Sequence, residues 1–323
     1  MKFKNKLIFL FFLFFSCEKN EIPIVPHNSG EIISRQIELA PNYQNQVYYS
    51  LKNDIVISTN LKTDWDIAFE SSSQGYNILL NSSTFSQMTV VENISFEEIT
   101  EVIDPEWNWD SPKGISYGTA IGDARISNSV YIIDRGYDIN GVLRGYKKIS
   151  IDTITNNYYN IRYANLDNTD MYTIQINKND NINFIYLSFE INDIVNIEPN
   201  KNTWDLLFTQ YTHIFNEGTE PPSYLVTGVL TNYLNNIEVA IDTNRLFLDI
   251  DYNMLMEYNF SSFQDVIGYD WKNYNLDDQS YTVDPDKNYI IKDYQGYYFK
   301  IHFVDFYNNL GEKGYPRFEF QQL

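Results

Sequence analysis

A degenerate internal duplication is the feature that most constrains how this chain can fold. Residues 53–56 read Asn-Asp-Ile-Val and recur as residues 192–195. Twelve residues after the first Asn of each copy comes a Trp-Asp motif, at Trp65 and at Trp204, so the offset is 139 residues in both cases. This period is far longer than that of a solenoid repeat, which predicts two copies of one domain-sized unit.

The two copies are predicted to form one continuous body. Residues 148–151 match 300–303 in the same order, although identity is low. Residues 164–200 contain no linker rich in Pro, Gly or Ser, and strand-like runs continue through them. We therefore divide the body into a first half at about residues 31–183 and a second half at about 184–323.

The fold class follows from the residue types and their spacing. Aromatic residues make up 16% of the chain, and Tyr, Phe, Ile, Val and Thr favour strands over helices. Short alternating runs recur, separated by Asn- and Gly-containing turns. The pattern predicts an all-β architecture of antiparallel strands with minor helical insertions, the best candidate for a short helix lying within residues 241–263.

The first residues predict export. Three lysines within the first six residues precede an apolar run at residues 7–15, which is typical of a secretory signal peptide and too short to span a bilayer. Cys17, the only cysteine, follows directly and resembles the acylated cysteine of a bacterial lipoprotein. We predict a signal peptide at residues 1–16 and a lipidated tether at 17–30. A plain signal peptide with an idle cysteine is the alternative.

Charge and motif content exclude several classes of function. The chain has 23 basic and 43 acidic residues, and removal of three signal-peptide lysines leaves a net charge of −23. Such a surface repels phosphate backbones, so nucleic-acid binding is not expected. A single cysteine excludes a disulfide framework and a Cys-based zinc site, and no metal site is predicted. No hydrolase or phosphate-loop motif is present, and we expect no enzymatic activity.

Three segments carry a resemblance to a known family. They are residues 65–69 (Trp-Asp-Ile-Ala-Phe), residues 204–208 (Trp-Asp-Leu-Leu-Phe) and the C-terminal run at 306–320. The chain resembles the HmuY-like outer-membrane lipoproteins of Gram-negative bacteria over roughly residues 45–323. The resemblance implies an all-β fold, an outer-membrane lipid anchor, and haem held by two axial side chains in the segments after the first Trp-Asp motif.

The candidate haem ligands are few. The segment after the first Trp-Asp motif has no His, and Met88 is its only Met. His213 follows the second Trp-Asp motif among aromatic residues that could line a pocket. Haem iron accepts both residue types, so His213 and Met88 are the candidates. The alternatives are a strand-end histidine and a core methionine. Trp65 and Trp204, at equivalent positions, are predicted to anchor the cores of the two halves.

These observations predict a non-catalytic, ligand-binding lipoprotein. Haem or a related porphyrin is the expected ligand and the only expected cofactor. The expected location is the outer membrane, at the cell surface, with membrane contact through the lipid anchor and an outer-membrane receptor as a partner. The alternative function is that of a structural or adhesive, glycan-binding surface protein that lacks the haem site.

Overall fold

The computed structural model describes residues 29–125, 129–215, 218 and 222–323. The predicted signal peptide, Cys17 and all but the end of the predicted tether lie outside these residues. Strands form most of the regular structure, and every strand pairing is antiparallel. The all-β, antiparallel prediction is therefore confirmed.

The strands in chain order are β1 Ile33–Gln36, β2 Asn45–Ser50, β3 Ile55–Leu61, β4 Ile67–Glu70, β5 Ile78–Leu80, β6 Gln87–Val91, β7 Val130–Asp134, β8 Tyr146–Ile154, β9 Tyr158–Ala164, β10 Tyr172–Asn177, β11 Phe184–Ser188, β12 Asp193–Val195, β13 Leu206–Ile214, β14 Ser223–Thr231, β15 Glu238–Asp242, β16 Lys272–Asn275, β17 Ser280–Val283, β18 Asn288–Lys292, β19 Tyr298–Tyr307 and β20 Lys313–Gln322.

The first folded unit is the continuous segment from β4 to β12. Its two sheets have the strand orders β12-β11-β4-β5 and β10-β9-β8-β7-β6. Apolar side chains from both sheets, including Phe69 and Tyr159, form one core. The ring centroids of Phe69 and Tyr159 lie 5.2 Å apart, within the range of a favourable aromatic pair.

The second folded unit is assembled from both ends of the chain. Strands β13 to β20 supply most of it, and β1, β2 and β3 complete its two sheets, β14-β13-β2-β3 and β1-β20-β19-β18-β15. Strands β16 and β17 form a separate ribbon. In the core, the ring of Trp271 stacks on Phe303 with a centroid separation of 4.0 Å. The N–H of Gly30 donates to the carbonyl of Gln322, so the start of the described chain is held against β20.

The boundaries of the folded units differ from the boundary predicted between the two sequence repeats. The boundary predicted between residues 183 and 184 falls between β10 and β11, inside the first unit. The offset of 139 residues maps β1 onto β10, and each of these strands pairs with the last long strand of its unit, β20 or β9. A tandem repeat has the same period whatever its starting point. The pairings of β1 with β20 and of β2 with β13 show where each unit begins.

The aspartate of each Trp-Asp motif holds a turn in its own unit. The Oδ2 atom of Asp66 accepts the main-chain N–H of Phe189 at 2.7 Å, at the end of β11. The Oδ2 atom of Asp205 accepts the main-chain N–H of Leu51 at the same distance, after β2. Because each acceptor and donor come from distant parts of the chain, both bonds tie β4 or β13 to its partner strand.

The surroundings of these two aspartates differ. Asp66 forms ion pairs with Arg135 at 2.9 Å and with Arg144 at 3.0 Å, and all three side chains are largely buried. At the position equivalent to Arg135 the second unit has Asp293, which is also buried. Burial, with a further contribution from Asp293, raises the pKa of Asp205 to about 6. The first unit thus pairs its buried aspartate with two arginines, whereas the second unit has no basic partner for Asp205 among the described residues.

A buried lysine also recurs in both units. The ammonium group of Lys148 donates to the carbonyls of Phe96 at 2.8 Å and Ile99 at 2.7 Å. Lys300 donates to the carbonyls of the two equivalent residues of the second unit, at 2.6 and 2.8 Å. The sequence match of residues 148–151 with 300–303 therefore preserves a hydrogen-bonding role. Each lysine fixes a loop that covers the outer face of its five-stranded sheet.

The helical insertions are short 3₁₀ turns. Within residues 241–263 the structure has two of them, Phe247–Asp249 and Tyr252–Glu257. The minor helical content predicted for this segment is confirmed, in 3₁₀ rather than α geometry. Within the described ranges, no helix has the length and apolar character needed to cross a bilayer.

We predict that the two Trp-Asp aspartates respond oppositely to replacement by Asn. Asp66→Asn should lower the free energy of unfolding at pH 7 by about 3–5 kcal/mol, because it leaves buried Arg144 without an anion and Arg135 with only the exposed carboxylate of Glu190. The folded-state pKa of Asp205 lies above its value of about 3.9 in the unfolded chain, so its contribution to stability is present below pH 4 and lost as pH rises through 6.

Asp205→Asn removes the loss of stability that ionisation of Asp205 causes at higher pH. The amide oxygen of the new asparagine can still accept the N–H of Leu51. The free energy of unfolding of the variant, relative to that of the unmodified protein, should therefore increase by about 2–3 kcal/mol as the pH rises from 4 to 8. Urea unfolding at pH 4, 6 and 8 measures both effects. Parallel pH profiles for Asp205→Asn and the unmodified protein would show that Asp205 is ionised normally in the fold.

Candidate functional site

The two motif tryptophans lie where the folded units meet. Trp65 packs in T-shaped geometry with Tyr186, and Trp204 packs likewise with Tyr48, each pair with a centroid separation of 4.9 Å. All four side chains are buried in one apolar cluster. The duplication therefore places two equivalent aromatic pairs at the interface between the units.

A small cavity lies beside these aromatic pairs. Its volume is about 90 Å³, and the buried carboxyl groups of Asp110 and Glu198 are part of its lining. Burial raises the pKa of each carboxyl group to about 7, and each accepts two main-chain N–H groups. Pockets for drug-sized ligands are typically about 300–1,000 Å³. This cavity suits ordered water and is too small for a porphyrin.

His213 lies on the wall of a larger cleft, which we call the His213 cleft. The cleft has a volume of about 500 Å³ and lies between the units. The first unit contributes Trp109, Lys113 and Tyr117, and the second contributes His213 and Phe215. Strand β13 positions the imidazole, because His213 pairs with Tyr224 of β14 near the end of the hairpin. The cleft thus combines aromatic walls with one imidazole.

The imidazole of His213 is held by aromatic neighbours. Its ring centroid lies 5.1 Å from that of Phe215 and 4.9 Å from that of Tyr269. Burial lowers the pKa of His213, and its buried Nδ1 atom has no hydrogen-bond partner among the described residues. At neutral pH the ring is therefore neutral, which is the form that binds a metal ion.

Met88 lies elsewhere and faces another environment. Its side chain is 1% exposed and packs in the core of the first unit with Ile133 and Phe69. It is not part of the His213 cleft, although its main chain bonds to Asn108, a residue of the cleft lining. The structure therefore does not bring Met88 and His213 together as an axial ligand pair.

His302, the other histidine in the described part of the chain, has a structural environment. Its ring stacks on Phe247 with a centroid separation of 4.1 Å, and its Nε2 atom lies 3.2 Å from a carboxylate oxygen of Glu319. These contacts leave the imidazole between a loop and β20. His302 lines neither of the clefts described here and therefore serves as a matched control for His213.

A second cleft was not foreseen from the sequence. It opens in the second unit, has a volume of about 650 Å³, and is called here the tyrosine cleft. Its aromatic lining residues are Tyr43, Phe215, Tyr224, Tyr269, Tyr274 and Tyr281. They come from separate strands and loops, and with 27 tyrosines in the chain no local pattern marks these five. Phe215 is shared with the His213 cleft.

No group of three or more His, Cys, Asp or Glu side chains capable of holding a metal ion occurs in the residues that the structure describes. A metal centre built by the protein alone therefore has no candidate among them. An iron ion carried within a macrocycle needs only one or two axial side chains from the protein. Of the two candidate ligands, His213 lines a cleft and Met88 does not.

The fold and its clefts define a duplicated, all-β protein with ligand-sized openings in and beside its second unit. A family model described as HmuY protein matches the sequence twice, over residues 42–182 and 180–320. The chain belongs to the HmuY family. A search among curated proteins found no significant match.

Several solved structures are similar to this chain. Apo PinO from Porphyromonas gingivitis has 10% identity and a TM-score of 0.31, covering 91% of this chain and 97% of its own. An apo HmuY analog from Tannerella forsythia has 10% identity and a TM-score of 0.26, covering 92% and 98%. A putative HmuY-like heme binding protein from Bacteroides vulgatus has 16% identity and a TM-score of 0.19, covering 42% and 82%. Family membership rests on the sequence model.

We predict that Met88 contributes to stability and not to ligand binding. Met88→Ala should lower the free energy of unfolding by about 2–5 kcal/mol, because it opens a cavity in a closed core. Met88→Leu, which conserves volume, should cost less than about 1.5 kcal/mol. Chemical denaturation of both variants measures this difference. If Met88 instead faced a ligand, both variants would unfold like the original protein and both would change ligand binding.

Proposed function

We propose that this protein binds haem or a related porphyrin without catalysing a reaction, with His213 as the iron ligand. The observation that carries the proposal is a half-buried imidazole, neutral at pH 7, on the wall of an aromatic cleft in a member of the HmuY family. One of the similar structures is described as a putative HmuY-like heme binding protein.

The residues of the His213 cleft fit a haem group in three respects. Histidine and tyrosine are both used as axial ligands of haem iron, and the lining offers His213 and Tyr117. Trp109 and Phe215 supply apolar surface for a macrocycle. Lys113, at the same cleft, offers a cation for a carboxylate of the porphyrin. Haem would supply the iron and the planar aromatic body, and the protein would supply the ligand and the walls.

We further propose that the protein is an outer-membrane lipoprotein displayed at the cell surface and anchored through Cys17. The supporting observations are the apolar run at residues 7–15, the single cysteine directly after it, and the family assignment. In this arrangement the body would deliver its ligand to an outer-membrane receptor. Because β1 is held against β20, the tether would leave the body beside the C-terminal strand.

The haem proposal predicts a ligand-specific spectral change. Titration of residues 18–323 with ferric haem should give a saturable, shifted Soret band at one equivalent. His213→Ala should weaken binding at least about tenfold, since loss of one iron ligand removes more than about 1.4 kcal/mol. His302→Ala, which removes the histidine outside the clefts, should bind like the original protein.

A featureless spectrum with only weak, unsaturable binding would remove haem as the ligand and favour the structural or adhesive alternative. Equal losses in His213→Ala and His302→Ala would show that the variants act through folding, and the assignment of His213 would then fail.

The anchor proposal predicts incorporation of lipid at Cys17. In cells fed with labelled palmitate, the full-length protein should carry the label and partition into detergent, because stable anchoring requires more than one acyl chain. Cys17→Ser should lose the label and partition into the aqueous phase. Labelling of Cys17→Ser at the original level would contradict the assignment of this cysteine.

A further inference from the structure

The tyrosine cleft is lined by two lysines on a strongly acidic protein. Its charged lining residues are Lys272, Lys313 and Asp270. The carboxylate of Asp270 is already neutralised by Lys287, at 2.6 Å. Neither Lys272 nor Lys313 forms an ion pair with a carboxylate of the described residues. Two lysines without an ion-pair contact therefore line one cleft of a protein whose acidic residues exceed its basic ones by 20.

Lys272 is the more unusual of the two cations. Its side chain is largely buried at the base of the cleft, and its ammonium group donates to the carbonyl of Thr227 at 2.5 Å. A second carbonyl, of Tyr269, lies at 3.4 Å and makes at best a weak bond. The ammonium group also lies 4.2 Å from the centre of the Trp271 ring. Burial lowers the pKa of Lys272 to about 7, and the negative charge of Asp270 opposes this shift only in part.

Comparison with the duplicated buried lysines shows what Lys272 lacks. Lys148 and Lys300 each donate to at least two carbonyls at 2.8 Å or less. An ammonium group has three donors, and Lys272 uses one of them fully. A purely structural lysine at this depth should be better satisfied, because an unpaired buried charge is costly. An anion that entered the cleft would supply a further hydrogen-bond partner for this ammonium group.

The walls of the cleft specify the rest of the ligand. Tyr224 is 60% exposed and Tyr274 is 48% exposed, so their rings offer apolar surface to an incoming molecule. Gln210 and Asn273 also line the cleft and offer amide groups to polar substituents. The volume of about 650 Å³ lies within the range for small-molecule sites. A flat ring next to an anionic group fits this arrangement.

We propose that the tyrosine cleft is a separate binding site for a ring-bearing carboxylate, with Lys272 and Lys313 as the anion partners and the exposed tyrosines as the ring platform. An acidic sugar and an aromatic acid share this chemistry. The proposal does not depend on the binding of haem by His213, although Phe215 lies in both clefts. The test therefore uses iron-free probes in the absence of haem.

Calorimetric titration at low salt compares two acids with their neutral counterparts: digalacturonate with galactobiose, and 2-naphthoate with 2-naphthylmethanol. One acid should bind saturably and at least about tenfold more tightly than its neutral counterpart, since a charge-assisted hydrogen bond contributes about 1.5–3 kcal/mol. Whichever acid binds identifies the source of the carboxylate. Failure of both acids to saturate, or equal binding of an acid and its neutral counterpart, overturns the proposal.

A charge-matched pair of variants locates the site. Lys313 lies over the ring of Tyr43 at 5.2 Å, and Lys52 lies over the ring of Tyr297 at 4.3 Å, outside the cleft. Both lysines are exposed, so neither substitution should impair folding. Lys313→Glu should weaken binding of the acid about tenfold, whereas Lys52→Glu should leave it unchanged. An equal effect of the two substitutions would show general charge attraction and overturn the proposal.

A second pair tests the ring platform. Tyr224→Ala should weaken the acid and its neutral counterpart by the same factor, because the ring contacts the part that the two probes share. Tyr294→Ala, which removes an exposed tyrosine outside the cleft, should have no effect. Unchanged affinity in Tyr224→Ala would show that the aromatic wall does not contact the ligand, and the proposed site would be wrong.

Discussion

The hydrogen bond from a turn N–H to a buried Trp-Asp carboxylate is the interaction on which both folded units depend. It joins residues 123 apart in the first unit and 154 apart in the second, each at 2.7 Å. The adjacent tryptophan of each motif packs in T-shaped geometry with a tyrosine of the paired strand. The same motif thus connects strand pairing within each unit to the packing between the units.

The two units share this hydrogen bond but differ in the charged residues beside it. In the first unit, Arg135 and Arg144 both form ion pairs with the buried carboxylate of Asp66. In the second unit, Asp205 is near Asp293 instead, and burial raises its pKa. The two copies have kept the same hydrogen bond from the turn to the aspartate, but the charged residues beside that aspartate differ. The tyrosine cleft lies in this second unit, and the His213 cleft lies beside it.

Residue type alone identified suitable iron ligands but not the direction in which each side chain points. His213 and Met88 are both suitable for haem iron, and the sequence placed each after a Trp-Asp motif. His213 is near the end of a hairpin, where its ring reaches a cleft, whereas Met88 is on β6, the edge strand of its five-stranded sheet, and faces the core. The direction of a side chain on a strand depends on register, which was not visible in the short pattern around Met88.

The sequence by itself determined the all-β class, the duplication with its 139-residue offset and the equivalence of Trp65 and Trp204, because these follow from local periodicity and from matching segments. Only the tertiary structure decided where each unit begins, since the pairing of β1 with β20 joins opposite ends of the chain. It also assembled the tyrosine cleft. Residues as far apart as Tyr43 and Tyr281 share that wall because strands distant in sequence are neighbours in the folded units.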